Sequence, residues 1–314
     1  MRVVTHTGAD LSRLLTACTW SGSRLQVARE LKFTFVQDDR DKLIPKIVLD
    51  CGYTVYGYDE NNMGSPVFVG NIYSIEKDRS ASSVSVMARD HLFVLTRSKT
   101  TKKFENMLPE DIAGQICAEF GVLSGNFAKT GVPVTFIAVD KTGYQIILMA
   151  YMEASKKNEV KYQAIMNGAK FDIIEKGALI DGFVADSTKN MTESRYRKSI
   201  EQLIDSVRIV DEHGNTVGNV QEAEHIQKYS LFQDIYKIDP NKDTQTEAKK
   251  LLKKPEESGN IVCLGDYRVK SSYSIIIKDS LFKGQFWIKS DTRTFTNGKH
   301  EMKLELEFEN LMNK

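Results

Sequence analysis

The chain has 314 residues, of which 41% are hydrophobic and 27% are charged, a composition typical of a soluble globular protein with two or three domains. Its 43 basic and 42 acidic residues nearly cancel, which argues against nucleic-acid binding through a large basic surplus. No apolar run approaches the roughly 18 residues of a membrane-spanning helix, and the N-terminus lacks the layout of a signal peptide, so we expect a soluble protein made in the cytosol.

The four cysteines lie far apart and form no Cys-x-x-Cys pair: Cys18, Cys51, Cys117 and Cys263. We therefore expect small buried thiols in a reducing compartment, and neither a disulfide framework nor a zinc site.

Residues 1–100 are rich in strand patterns. Apolar residues alternate over 31–36, and further strand signals follow at 52–56 and 67–69, separated by polar turns such as 59–64. Alternation of this kind places one face of a strand in a core and the other in water. Five or six strands so closely spaced predict a small antiparallel barrel or sandwich.

The pattern changes after residues 97–103, which hold four basic residues and are interpreted as a solvated linker, with a phosphate-facing patch as the alternative. A helix is predicted from Pro109 to Gly121, because apolar residues recur every four positions. A second helix is predicted from Thr142. Asn167-Gly168 between two alternating runs predicts a β-hairpin. The middle of the chain is thus predicted to be α+β.

A helical turn at 199–204, a strand at 206–210 and a return strand near 216 are predicted next. Residues 222–254 are predicted to be helical or irregular, with a short helix at 247–252 capped by Thr244 or Thr246.

From residue 258 the strand pattern returns and continues to the end of the chain. Its order resembles that of the first block. In the first block Gly52 lies 16 residues before Phe68, which begins a Phe-x-Gly strand. In the second block Gly265 lies 17 residues before Phe282, which begins the same motif. An alternating strand follows in both blocks. This spacing predicts two copies of one β-unit. In the run 302–309, Lys303, Glu305, Glu307 and Glu309 alternate with Met302, Leu304, Leu306 and Phe308, so the charged side is predicted to face a channel or solvent.

The sequence carries no recognisable catalytic or cofactor-binding motif. The five histidines are scattered singly, at His6, His91, His213, His225 and His300. Residues 38–41 are interpreted as a solvated loop and not as a calcium-binding loop, since the positive charge of Arg40 opposes cation binding. Asp90 before His91 reads as a helix N-cap. We predict no catalytic, cofactor-binding or metal-binding residues, and no enzyme activity.

Three segments resemble one known family. They are residues 28–35 (Ala-Arg-Glu-Leu-Lys-Phe-Thr-Phe), residues 68–70 together with 88–91, and residues 284–302, which end in Phe-x-Asn-Gly-x-His-x-Met. They resemble the XkdQ/YqbQ-like tail hub family of contractile phages and phage-like particles, which includes the PBSX type and R-type bacteriocins. The resemblance covers essentially the whole chain.

The resemblance implies an α+β, mainly β fold, with two tail-tube-like antiparallel β-barrels and an inserted α/β domain, as in the baseplate hub of T4-like phages. Together with the strand patterns it predicts a first barrel at 1–100, an inserted domain at 101–198 and 221–257, and a second barrel at 199–220 and 258–314.

The resemblance also implies a homotrimer that joins the hexameric tail tube to the central spike and contacts other baseplate proteins. DNA or a tape measure protein would pass through its channel, and no membrane or cofactor is implied. Such a protein assembles in the cytoplasm of a bacterial host and ends in the tail or baseplate of the particle.

We therefore predict a structural hub that converts threefold into sixfold symmetry. The main alternative is a tail-associated peptidoglycan hydrolase, whose catalytic constellation would lie in residues 101–200. A third reading is a carbohydrate- or receptor-binding module that uses Tyr53, Tyr56 and Tyr58, although these residues are more typical of a barrel face.

Overall fold

The computed structural model describes residues 1–24, 27–38, 40–281, 283–296 and 298–307. Strands make up 51% and helices 16% of the chain, so the fold is mainly β as predicted. Five residues named above lie outside the described residues: Asp39, Phe282, Asn297, Phe308 and Glu309. Among the described helices, none has the length and apolarity needed to cross a membrane.

The N-terminal strands form a six-stranded unit, which we call repeat A. They are β1 (Arg2–Thr5), β2 (Leu15–Ser23), β3 (Glu30–Val36), β4 (Thr54–Tyr58), β5 (Phe68–Asp78) and β6 (Ser83–Asp90). They pair in the order β1-β4-β5-β6-β3-β2, and each pair is antiparallel. The predicted alternation is seen in β3, where Leu31, Phe33 and Phe35 are buried in the core of the repeat.

The middle region, residues 91–178, contains three helices and five strands. They are α1 (Leu92–Arg97), β7 (Lys99–Met107), α2 (Pro109–Glu119), β8 (Ser124–Phe127), β9 (Val134–Thr142), α3 (Gly143–Asn158), β10 (Tyr162–Asn167) and β11 (Lys170–Glu175). Strands β7 and β9 pair, and a second sheet has the order β10-β11-β8. Helices α2 and α3 pack together in a separate core. The predicted α+β character is confirmed.

Local signals placed these helices correctly. Helix α2 has Pro109 in its first turn. Helix α3 begins at a capping box in which Thr142 accepts from the Gln145 N–H and the Gln145 side chain accepts from the Thr142 N–H. Asn167 and Gly168 join β10 to β11, and Gly168 has the positive φ of +59° that this turn requires.

The prediction of a solvated linker at 97–103 is wrong. Arg97 ends α1, and Lys99 opens β7, which pairs with β9 over its length. The strand is exposed along most of its length but buries Phe104 against the core of the middle region. Its Lys-Thr-rich sequence carries no apolar alternation, so the pairing with β9 decides its structure.

The next two strands are β12 (Leu179–Asp186) and β13 (Met191–Ser199), and the second half of β13 belongs to a separate unit formed by residues 195–259. That unit contains β14 (Ser206–Val210), β15 (Thr216–Gln221), α4 (Ala223–Tyr229), β16 (Gln233–Lys237) and α5 (Thr244–Leu251). Its sheet has the order β15-β14-β16, and Ala248 of α5 shares a small core with Val207 and Ile209.

This arrangement corrects the expectation that 199–220 joins 258–314 in one barrel. Strands β14 and β15 pair with β16 and not with any later strand among the described residues. Strand β16 lies in the segment predicted to be helical or irregular. Its parallel pairing with β14 is a contact between residues 27 positions apart, such as Ser206 and Gln233, which local pattern does not reveal. The other boundaries of the predicted domain division stay a prediction.

The last four strands of the described residues are β17 (Glu256–Leu264), β18 (Ser274–Lys278), β19 (Lys283–Thr296) and β20 (Lys299–Glu307). With β12 and β13 they form repeat B, whose strands follow the order β12-β18-β19-β20-β17-β13. In β20, Met302, Leu304 and Leu306 are buried while Lys303 and Glu305 are exposed, so the predicted alternation is confirmed there.

Repeats A and B share one strand order. If β1 to β6 are matched with β12, β13 and β17 to β20 in turn, every neighbour in one order has its counterpart in the other. The first pairs differ in direction, because β1 pairs antiparallel with β4 whereas β12 pairs parallel with β18. The repeat predicted from sequence is therefore confirmed at the level of strand pairing.

The equivalence extends to single residues. Strand β5 has a register shift between Ile72 and Ser74, and β19 has one between Ile288 and Ser290, 216 positions later in both cases. Bulges are specific features of a ladder, so their coincidence aligns the two strands. The alignment of Phe68 with Phe282 that the sequence predicts has an offset of 214 positions. This is two fewer than the offset between the register shifts, so the predicted alignment is wrong by two residues.

Among the described residues, no sheet closes into a barrel. Repeats A and B instead share one 12-stranded sheet, because β2 pairs with β19. Two separate closed barrels would leave β2 and β19 without this bond.

Candidate functional site: the joint between the repeats

The two repeats meet where β2 pairs antiparallel with β19, a contact that we call the repeat joint. Residues Cys18 to Ser23 lie opposite Ser290 to Phe295. One edge of the long strand β19 pairs with two strands, with β18 along its first half and with β2 along its second half. The other edge of β19 pairs with β20. The register shift before Ser290 separates the two halves.

The joint buries three charged side chains in direct contact. Asp291 and Arg293 of β19 have no exposed surface, and Arg29, just before β3, is 4% exposed. Both guanidinium groups donate to the Asp291 carboxylate, Arg29 through both terminal nitrogens, with its Nη1 3.0 Å from Oδ1. The Ser271 N–H also donates to Oδ1, at 2.6 Å. One carboxylate therefore holds two buried cations.

Trp20 of β2 forms the apolar wall of this cluster. The Cζ atoms of Arg29 and Arg293 lie 4.4 and 4.6 Å from its ring centroid, and Nζ of Lys270 lies at 5.8 Å. Cations over the face of an indole are attracted by its quadrupole, most strongly where water is absent. The joint thus combines strand pairing with a buried ionic contact between repeats.

The charges of this cluster respond differently to burial. Burial by itself raises the pKa of Asp291, but Arg29 and Arg293 outweigh it and hold the pKa below its usual value. Lys270 has no carboxylate of its own. Burial, together with the two arginines, lowers the pKa of Lys270 to about 7.

Asp90, at the end of β6, links the cluster to the middle region. Its carboxylate accepts the N–H of Arg29 at 2.8 Å and the N–H of Leu92, in the first turn of α1, at 3.1 Å. Burial raises the pKa of Asp90 to about 7 despite these bonds. The predicted capping role is corrected in position: the N-cap residue is His91, which forms no side-chain cap bond, and Asp90 acts from one residue earlier.

Gly22 of β2 is needed for the joint to close. An ideal Cβ at this position would lie 2.4 Å from Nη1 and 2.7 Å from Cζ of Arg29. That guanidinium is held by Asp291 and Trp20, so it has no free direction in which to move. We expect Gly22→Ala to lower the free energy of unfolding by about 1–3 kcal/mol, measured by urea titration with tryptophan fluorescence.

Both tryptophans, Trp20 and Trp287, lie in the 12-stranded sheet, so this signal reports on the sheet and not on residues 195–259. Ser21→Ala, one residue away on the opposite face of β2, is the control and should change stability by less than about 0.5 kcal/mol. Equal stabilities of the two variants would show that the close approach of Arg29 has no cost.

The residues singled out from sequence do not gather into a site. The histidines have different neighbours: His6 lies against Tyr53, His213 near Glu212, His225 beside Tyr229 and His300 against Tyr267 and Phe295. In the 38–41 loop, Asp38 accepts from Arg40 and Ser82. Among the described residues, no group of three or more His, Cys, Asp or Glu side chains could hold a metal ion.

Two further expectations can be compared with the structure. Tyr56 and Tyr58 lie half-buried on β4, whereas Tyr53 is exposed just before it. Cys18, Cys117 and Cys263 are buried, and burial raises the pKa of each thiol. Cys51 is exposed, so the prediction of burial is wrong for this residue.

Sequence reasoning missed the buried cluster because Arg29 and Asp291 are 262 positions apart. A signal was nevertheless present. After the register shift, Asp291, Arg293 and Phe295 occupy the inward side of β19. Charged residues at inward positions of a strand are rare unless they are paired, and this pattern marks them as candidates for an internal contact.

Comparisons with known structures place this fold among phage tail proteins. The chain is similar to the 43 kDa tail protein of prophage MuSo2 from Shewanella oneidensis, with a TM-score of 0.68, 13% identity and coverage of 98% of this chain and 97% of the other. It is also similar to the E. coli c3393 protein, with a TM-score of 0.57, 10% identity and coverage of 98% and 76%. That protein is described as a component of the type VI secretion system with structural similarity to the T4 tail proteins gp27 and gp5.

The chain belongs to the YQBQ-like family, whose model matches residues 18–307. Among curated proteins it is similar to the phage-like element PBSX protein XkdQ of Bacillus subtilis (strain 168). The two are 23% identical over 312 residues, which cover 93% of this chain and 91% of XkdQ. The family suspected from the three sequence segments is confirmed.

Proposed function

We propose that this chain is the structural hub of a contractile phage-tail-like particle. Three copies form a ring that joins the hexameric tail tube to the central spike, within the tail or baseplate. The coarser part of this proposal, a structural role in a tail or baseplate, is supported by the family and by the named relatives.

The observation that carries the finer part is the duplication of a six-stranded unit within one chain. A ring of three such chains presents six similar units, so a threefold assembly can meet a sixfold tube. A chain with a single unit would need six copies to do the same. The duplication is thus the feature of this molecule that suits a symmetry adaptor.

The repeat joint indicates how neighbouring units are held together. Backbone pairing of β2 with β19 supplies hydrogen bonds, and the Arg29–Asp291–Arg293 cluster adds charge-assisted bonds away from water. Such a contact suits a particle that has to withstand contraction. The proposed partners are the tail tube protein, the central spike protein and other baseplate proteins, with DNA or a tape measure protein passing through the channel.

The stoichiometry is testable by light-scattering mass measurement of the purified chain alone and with its tail tube protein. We expect three copies per complex in at least one of the two conditions. A single copy in both would contradict the hub.

A peptidoglycan zymogram tests the rival reading of a wall-degrading enzyme. We expect no cleared zone around the purified chain, with a muramidase as the positive control. Clearing by the chain at comparable concentration would overturn the structural assignment and would direct attention to residues 101–200.

A further inference from the structure

The second half of β19 in repeat B has a strand partner that the equivalent half of β5 in repeat A lacks among the described residues. The second half of β19 is covered by β2 of repeat A, and Asp291, Arg293 and Phe295 are buried there. The equivalent half of β5, residues 74–78, has β6 on one side and, among the described residues, no strand on the other. Its side chains are exposed except for Ile75, which is half-buried.

The strand that would cover this edge by analogy is β13. It is the counterpart of β2, and like β2 it follows the last strand of its own repeat in the sheet order. Strand β2 goes on to pair with β19, whereas β13 ends the order, with no further strand of the described residues beyond it. One chain therefore holds one completed joint and the two separate halves of another.

We infer that β13 of one copy pairs antiparallel with the second half of β5 in a neighbouring copy, which repeats the β2–β19 joint between chains. The occupant of the β5 edge is thus a second copy of this chain. The inference deepens the proposed hub and rests on it for the number of copies. In a ring of three, three joints within chains alternate with three joints between chains.

Unpaired strand edges invite such an addition, because each presents a row of backbone donors and acceptors. The contact is head-to-tail, since the two edges are different, and such contacts form a ring when the rotation between copies closes. The two segments carry net charges of opposite sign, with Arg197 and Lys198 of β13 also in ion pairs with Glu201 and Glu257 of their own chain. Strand β13 carries three basic residues and one acidic residue, whereas residues 74–78 carry two acidic and one basic. The basic residues of β13 are Arg195, Arg197 and Lys198, and the acidic ones of β5 are Glu76 and Asp78.

The equivalence of the repeats predicts the register on the β5 side. The offset of 216 positions makes Asp78 the counterpart of Thr294, which lies opposite Thr19 in the repeat joint. The counterpart of Thr19 on β13 is therefore the residue that should lie opposite Asp78 of the neighbouring copy.

Three backbone hydrogen bonds identify the residue of β13 that corresponds to Thr19 of β2. The Gln37 N–H donates to Ser82 O in repeat A, and the Gly265 N–H donates to His300 O at the matching place in repeat B. Lys32, which faces Thr19, therefore corresponds to Asn260. The Leu264 N–H donates to Asn190 O, and four steps along both strands bring Asn260 opposite Ser194. Ser194 is thus predicted to face Asp78 of the next copy.

Cysteine cross-linking tests this pair in the full-length chain, with Cys51→Ser as the background because Cys51 is exposed. Directly opposed strand residues lie within the distance range of a disulfide. We expect mild oxidation to link Asp78→Cys with Ser194→Cys when the two single variants are mixed. Neither variant alone should link to more than a few per cent. The experiment is run on the concentrated protein and again with the tail tube protein added.

The positive control is the matching pair inside the chain, Thr19→Cys with Thr294→Cys, which should form an intrachain disulfide in both conditions. If that control oxidises while the mixed variants stay unlinked in both conditions, the β13–β5 pairing is refuted. Mass measurement then separates two failures. Three copies without the cross-link would overturn only this pairing, whereas a single copy throughout would overturn the proposed hub as well.

Discussion

Replacing Asp291 with alanine is expected to lower the free energy of unfolding by about 3–5 kcal/mol, among the largest effects of any single change in this chain. The carboxylate accepts from Arg29, Arg293 and the Ser271 N–H, and neither it nor Arg293 has exposed surface. Without it, two guanidinium groups stay buried side by side with no counter-charge, and they repel each other. Urea unfolding followed by tryptophan fluorescence measures the loss.

The matched control is Glu305→Ala on the neighbouring strand β20. Glu305 is an exposed carboxylate that accepts from the Ser290 hydroxyl at 2.8 Å, so its removal leaves nothing buried without a partner. We expect a change of less than about 1 kcal/mol. A second variant, Asp291→Asn, keeps the shape but removes the charge, and it should be nearly as unstable as alanine. Should Asp291→Asn match the unsubstituted chain, packing and not charge would be what Asp291 contributes.

Asp90 and Lys270 are expected to make opposite contributions to the pH dependence of the stability of the sheet. Burial raises the pKa of Asp90 from 3.8 to about 7, so between these values the folded chain holds a proton that the unfolded chain has released. The contribution of Asp90 to stability therefore falls as pH rises from 4 to 7, whereas His300, whose pKa burial lowers from 6.5 to about 4, makes a contribution that rises with pH in this range. Burial lowers the pKa of Lys270 from 10.5 to about 7, so above pH 7 the unfolded chain binds the extra proton. The contribution of Lys270 therefore rises above pH 7, until above about pH 9 the three buried thiols, whose pKa values burial raises, act in the opposite direction.

The contribution of Asp90, the acid limb, and that of Lys270, the alkaline limb, are each expected to span about 4–5 kcal/mol, because a tenfold difference in proton affinity is worth about 1.36 kcal/mol. The nearby Asp291 does not titrate in this window, since its pKa lies below the usual value. Urea titrations at intervals from pH 4 to 10 measure both limbs.

Single variants assign the two limbs. Asp90→Asn should flatten the acid limb, and Lys270→Met should flatten the alkaline one. Because Lys270 also lowers the pKa of Asp90, its removal should extend the falling limb to higher pH. Glu153→Gln, at an exposed ion pair on α3, is the control and should leave the profile unchanged. An Asp90→Asn profile between pH 4 and 7 that matches the profile of the unsubstituted chain would contradict the burial of Asp90 as a neutral acid.

Local chemistry was sufficient for much of the fold. The alternation in β3 and β20, Pro109 at the start of α2, the capping box at Thr142 and the Asn167-Gly168 turn each specify their own structure through neighbours in sequence. Strand β7 and strand β16 were missed because neither shows a clear apolar alternation, and each is held by a partner strand far along the chain.

The sequence by itself determined the mainly β class, the family and the presence of two similar β-units, because these follow from periodicity and from motifs that are contiguous in the chain. Only the tertiary structure decided which strands are equivalent, that the two repeats share one sheet, and that Arg29, Asp291 and Arg293 meet at their joint. Strand partners are chosen by backbone bonds between residues hundreds of positions apart. No local pattern encodes that choice, and a one- or two-residue error in register, such as the one made in aligning Phe68, changes every contact that follows.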